Sequence, residues 1–174
     1  MRWFWIDRFE EFVRTQRATA VKAVSLAEEH LHDHFPGAAL MPNSLVLEGM
    51  AQTAGILAAD ALDYRRQVVL VKVGSSDFHR EAVPGDTLRY RAELVHFNDN
   101  GSLARVISTI DGRPQAEAEL YFGHVETGTA VPKLFRDDEM LTWLDNLRIY
   151  DVAVNPDGTP VTRRAVSDGS GPQP

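Results

Sequence analysis

The sequence contains no cysteine, which excludes disulfides, thiolate metal sites and a cysteine nucleophile. It also lacks any apolar run near the roughly 18 residues that crossing a bilayer requires. The aromatic cluster in MRWFWIDR, residues 1–8, meets charge too soon to form the apolar core of a signal peptide. Basic charge is scarce: 18 Lys and Arg against 25 Asp and Glu leave a net charge of −7, a poor match for the phosphates of nucleic acid. These absences lead us to expect a cytoplasmic protein with no membrane or nucleic-acid partner. What is present is 174 residues with 44% hydrophobic content, enough to bury one core and too little for two ordinary domains.

Along the chain, a short amphipathic helix is expected near residues 6–14 and a strand from Thr19 to Glu28. HLHDHFPG, residues 30–37, reads as an irregular crossing, because Pro36 and Gly37 punctuate the backbone and Pro36 pushes Phe35 from helical angles. Ser44 to about Leu62 has no Pro and is rich in Ala, Leu and Met, which predicts a helix with Asn43 or Ser44 as N-cap. It is apolar nearly all round, so it should be buried. Its Gly and Ala residues make it thin, so other backbone can approach closely.

Four segments then run apolar or alternate over strand lengths: residues 68–80, 86–100, 102–112 and 113–125, with turn signals at PGD, NDNG and DGR. In DTLRYRAEL, Leu88, Tyr90, Ala92 and Leu94 share one face while Arg89, Arg91 and Glu93 share the other. Read as consecutive hairpins, these strands make an antiparallel sheet. The expected fold class is α+β: a hotdog fold, with the antiparallel sheet wrapped around the long central helix. Residues 1–126 form that domain. Residues 127–152 form a C-terminal extension with a short amphipathic helix, and the Pro-, Gly- and Ser-rich residues 153–174 a disordered tail.

Glu48 is the anomaly of the central helix. A carboxylate buried without a partner protonates instead, so Glu48 is either satisfied by a specific neighbour or held as a neutral acid. Gln52 lies one turn on and shares its face. His34 precedes the helix N-terminus, where backbone N–H groups can meet developing negative charge.

His34-Phe35-Pro36-Gly37, Met41-Pro42, then Leu45, Glu48, Met50, Ala51 and Gln52 resemble the signature of the 3-hydroxyacyl-(acyl-carrier-protein) dehydratases of bacterial type II fatty-acid synthesis, the FabZ-like family with one hotdog domain per chain. Residues 77–86, DFHREAVPGD, resemble that family's second motif. The resemblance runs from about residue 4 to residue 125. It departs at Ala39, where the family usually has Pro, and at Asn43-Ser44, where Gly usually follows Met-Pro.

The resemblance implies that His34 removes the α-proton of a 3-hydroxyacyl thioester and Glu48 protonates the departing hydroxyl. It also implies a dimer joined edge to edge, with His34 of one chain facing Glu48 of the other, and in some members three such dimers. Having Glu rather than Asp at position 48 favours simple dehydration over isomerisation. The partner would be an acyl carrier protein bearing a phosphopantetheine-linked chain, with no cofactor and no metal. Gly37, Gln52 and Phe78 are the expected substrate- or oxyanion-binding residues. Charge building on the thioester oxygen needs a donor, for which the Gly37 N–H and one near the start of the helix are candidates.

Other readings stay open. Glu48 could activate water in a hotdog thioesterase, or the chain could bind acyl carriers without catalysis. His30, His32 and His34 would line one strand face for a metal, but Pro36-Gly37 breaks any strand there. Arg65, Arg66, Lys72, Arg80, Arg89 and Arg91 are candidates for docking an acidic carrier. Trp3, Phe4 and Trp5 read as core or dimer packing.

Overall fold

Phe9 and Phe12 decide the first element of the computed structural model, which describes residues 4–126 and 137–163. Both phenylalanines are almost completely buried, and their spacing of three mimics a helix. The segment is instead a strand, β1 (Arg8–Val13). Its register against β2 (Arg17–Ala23) shifts between Phe9 and Glu11, and that bulge turns two residues of odd and even position to the same face. The expected helix over 6–14 is thereby overturned. The strand expected to reach Glu28 stops at Ala23. Within the crossing, His30–Asp33 form a single helical turn, α1.

The central helix α2 spans Asn43–Ala61. Its N-cap is Pro42, not Asn43 or Ser44, and no side chain caps it; Pro42's carbonyl accepts from the Leu45 and Val46 amides. Four long strands follow: β3 (Gln67–Phe78), β4 (Thr87–Asn98), β5 (Gly101–Ile110) and β6 (Arg113–Val125). The β5–β6 turn uses Asp111 and Gly112, both at positive φ (51° and 73°), which suits the twist of a two-residue hairpin. The extension adds α3 (Asp137–Asn146), α4 (Ile149–Val152) and β7 (Ala153–Val154).

One seven-stranded sheet results, in the order β3-β6-β5-β4-β2-β1-β7. The reading of every strand as hairpin-connected fails at one place: β3 pairs antiparallel with β6, not with β4, because α2 has to be wrapped by both ends of the sheet. Leu88, Tyr90 and Ala92 face inward as their alternation predicts. They meet Val46, Met50, Ala54 and Leu57 of α2 in one core. The helix must be thin at Gly49, where an added Cβ would lie 2.5 Å from the Tyr90 ring and 2.7 Å from the Trp5 carbonyl oxygen.

Part of the expected disordered tail is ordered. Residues 153 and 154 pair parallel with Phe12 and Val13, and Val154 bridges to Pro160; the expectations for Trp3 and for residues 127–136 and 164–174 fall outside the described residues. This sheet, antiparallel except for the β1–β7 pair, around one central helix is the hotdog architecture.

Candidate active site

His34 hangs on the crossing between α1 and α2. Two mutual backbone bonds of 2.9 Å, Phe35 N–H to Ala38 O and Ala38 N–H to Phe35 O, tighten the loop, and Leu40 N–H closes it onto His34 O at 2.9 Å. Gly37 takes φ +81° at the exposed tip, a conformation that favours glycine. Phe35 stacks on the His34 ring with centroids 4.2 Å apart.

The His34 Nδ1 lies 3.0 Å from the Leu40 carbonyl oxygen. A carbonyl only accepts, so in the neutral imidazole the hydrogen sits on Nδ1 and the basic lone pair is on Nε2. Upstream, α1 is anchored by a buried charge: the Lys22 ammonium donates to Glu28 and, at 2.6 Å, to the Ala23 carbonyl. His30 Nε2 stands 3.6 Å from Glu28 Oε2, and burial holds the His30 imidazole below its ordinary value, with Glu28 opposing.

Glu48 differs from expectation. It is exposed, because it sits on the side of α2 that the sheet leaves uncovered; the burial inferred from its apolar neighbours does not occur in this chain. Its Oε1 accepts from Gln52 Nε2 at 2.9 Å, and Gln52 Oε1 accepts from the Trp5 amide at 2.8 Å. Gln52 therefore has both ends committed to protein groups. Among the described residues no hydrogen bond or ion pair joins His34 to Glu48. Phe78, at the end of β3, is half-buried and pairs with Ala116.

Two groups that sequence reasoning missed are backbone atoms: the Leu40 carbonyl and the Trp5 amide. No residue-type signal marks either. The expected basic patch is largely neutralised within the chain: Arg65 pairs with Asp63, Arg66 with Glu126, Arg80 with Asp86, Arg89 with Glu10 and Arg91 with Glu93. Lys72 lies 5.4 Å from the centre of the Tyr121 ring.

The model of the FabA-like domain matches residues 4–120. The chain belongs to the FabA-like domain family. Within this FabA-like family it is 35% identical over 123 residues to the 3-hydroxyacyl-(acyl-carrier-protein) dehydratase FabZ of Acetivibrio thermocellus, covering 70% of this chain and 84% of that one. To the FabZ dehydratase of Granulibacter bethesdensis it is 37% identical over 116 residues, covering 65% and 68%. Among solved structures, a Streptococcus mutans protein bound to acetyl CoA superposes with a TM-score of 0.60 at 16% identity, covering 73% of this chain and 94% of that one. That likeness shows the shared fold alone. The matched stretch contains α1, α2, His34, Glu48 and the sheet through most of β6, and leaves out the α3-to-β7 extension.

Proposed function

We propose that this FabA-like chain dehydrates 3-hydroxyacyl chains carried on an acyl carrier protein to the 2-enoyl product, in cytoplasmic fatty-acid biosynthesis. The observation that carries the reading is that each reactive side chain already has a fixed partner: the Leu40 carbonyl on His34 Nδ1, and the Gln52 amide on Glu48 Oε1.

His34 Nε2 takes the α-proton, and the carbon–hydrogen electron pair moves into the new carbon–carbon double bond. Glu48 gives a proton to the hydroxyl at the β-carbon, whose bond to carbon breaks, so that water leaves. Because Gln52 donates to Oε1, the transferable proton belongs on Oε2. His34 ends with one proton more and Glu48 with one fewer, and solvent exchange resets both before the next turnover. The Gly37 N–H and the uncapped first amides of α2 are the donors for charge on the thioester oxygen.

A second copy of the chain completes the site. At the end of the sheet β3 exposes the apolar Val69, Leu70, Val71 and Val73, and among the described residues no strand pairs with its outer side; pairing two such edges is the self-complementary contact of a two-fold dimer. The same association supplies cover for Glu48 and brings one chain's His34 to the other's Glu48. Trimers of such dimers belong to the same reading. The deciding experiment follows enoyl formation from 3-hydroxyacyl thioesters. His34→Ala and Glu48→Ala should each lower turnover by about two to four orders of magnitude. Parental rates in both variants, or release of free thiol in place of an enoyl product, would overturn the assignment.

A further inference from the structure

The α3-to-β7 extension lies beyond the residues matched by the family, yet two aromatic residues link it to the helix that carries Glu48. Trp143 of α3 packs edge-on against Phe4, with ring centroids 5.5 Å apart and planes at 76°. The helix that presents Trp143 is firmly seated. Leu144 and Leu147 are buried, and the Leu147 carbonyl accepts from the Phe9 amide of β1 at 2.9 Å.

The next residue, Trp5, touches both halves of the candidate site. Its amide donates to Gln52 Oε1, and its carbonyl oxygen lies against Gly49 of α2. Its ring meets the His30 ring edge-on at 5.1 Å, on the helical turn that leads into His34. Residues 4 and 5 thus form a strap between the extension on one side and the candidate acid and base on the other.

We propose that Trp143 is a positioning residue that fixes Glu48 through Phe4, Trp5 and Gln52. It touches neither substrate nor reacting atoms. An amide N–H can only donate, so Trp5 compels Gln52 to turn its oxygen toward the strap and its NH2 toward Glu48. With the strap unseated, Gln52 can rotate and offer an oxygen to the Glu48 carboxyl. An ionised Glu48 would be repelled, and a protonated one would donate to Gln52 instead of to the leaving hydroxyl. The sequence outside the family match thereby acts on the step inside it, an inference that rests on the role given to Glu48 above.

The test compares full-length Trp143→Ala, Trp143→Phe and Glu48→Gln with the parent, measuring kcat and KM on a 3-hydroxyacyl thioester and hydrogen exchange at the Trp5 amide. Trp143→Ala should lower kcat about tenfold with KM within about twofold, since misplacing a reacting group affects the chemical step. It should also speed exchange at the Trp5 amide, and Trp143→Phe, which keeps an aromatic edge, should restore both. If Trp143→Ala does not fold, Phe4→Leu removes the other half of the contact and is held to the same two readouts. Parental kcat and parental exchange in the folded variant overturn the inference, and so does a rise in KM alone. Parental turnover in Glu48→Gln overturns the acid itself and the inference with it, whereas an inactive Glu48→Gln beside a fully active Trp143→Ala overturns the inference alone.

Discussion

The two edges of the sheet are treated in opposite ways. At one end β1 is closed by its own chain: β7 pairs parallel with it, Arg14 N–H donates to Val154 O at 3.0 Å, and Leu144, Leu147 and Ile149 are buried nearby. At the other end β3 is twelve residues long and mostly exposed, with Val71 at 64% exposure, and among the described residues no strand pairs with its outer side. An open edge is a template for pairing with another chain. In the dimer proposed above, β3 is the edge at which the second copy adds, so that proposal gives stability to one end of the sheet and assembly to the other.

The sharpest way to break that division is to charge the open edge. Leu70→Lys together with Val71→Lys should convert the proposed dimer to monomer and lower turnover at least about 100-fold, the scale of losing one partner of an acid–base pair. Light scattering and enoyl formation check this together, and an unchanged mass would end the β3 interface.

On the closed edge the effect should fall on folding instead. Leu147→Ala removes a buried side chain and should cost about 2–5 kcal/mol, read from denaturant unfolding, with the dimer mass unaltered. A loss of mass in that variant would show that the two edges are not independent.

Next in size is an acid effect beside the open edge. His124 of β6, opposite Val68 of β3, shares a 3.0 Å hydrogen bond with Ser102. Burial holds its imidazole below the ordinary 6.5. The unfolded chain therefore binds a proton near pH 6.5 that the folded chain refuses, so this contribution is present above pH 6.5 and is lost as pH falls below it. Thermal melts of His124→Gln should lose less Tm between pH 7 and pH 5 than melts of the parent, and identical losses would remove His124 from the account.

The smallest effect belongs to the exposed Arg163–Asp145 pair, 2.6 Å apart, which ties residue 163 to α3 of the extension. Arg163→Gln should leave Tm where the parent has it, because solvent screens such pairs. A drop of several degrees would mean that the pair staples the extension.

Much of this was legible from residue order. The alternation of Leu88, Tyr90 and Ala92 predicted the inward face of β4, and the Pro-free, small-residue stretch after Pro42 predicted α2. The two motifs of the FabZ-like dehydratases were legible too, since each is a short continuous stretch. The failures share a cause. Phe9 and Phe12 imitated a helix because a bulge shifted the strand's phase, and β3 looked like the hairpin partner of β4 because pairing with β6 depends on residues far along the chain. The β7 strand was hidden among Pro and Gly, since a two-residue strand exists only where an edge receives it.

By itself the sequence determined the four long strands after the central helix, the thinness of that helix and the identity of the candidate base and acid, because hydrophobic period, helix-compatible composition and motif spacing are local properties. Only the tertiary structure decided which nitrogen of His34 holds its hydrogen, that Glu48 is exposed, and which end of the sheet has no further strand among the described residues. Each of those depends on a backbone carbonyl, an amide or a strand brought from elsewhere in the chain, and such meetings are fixed by packing.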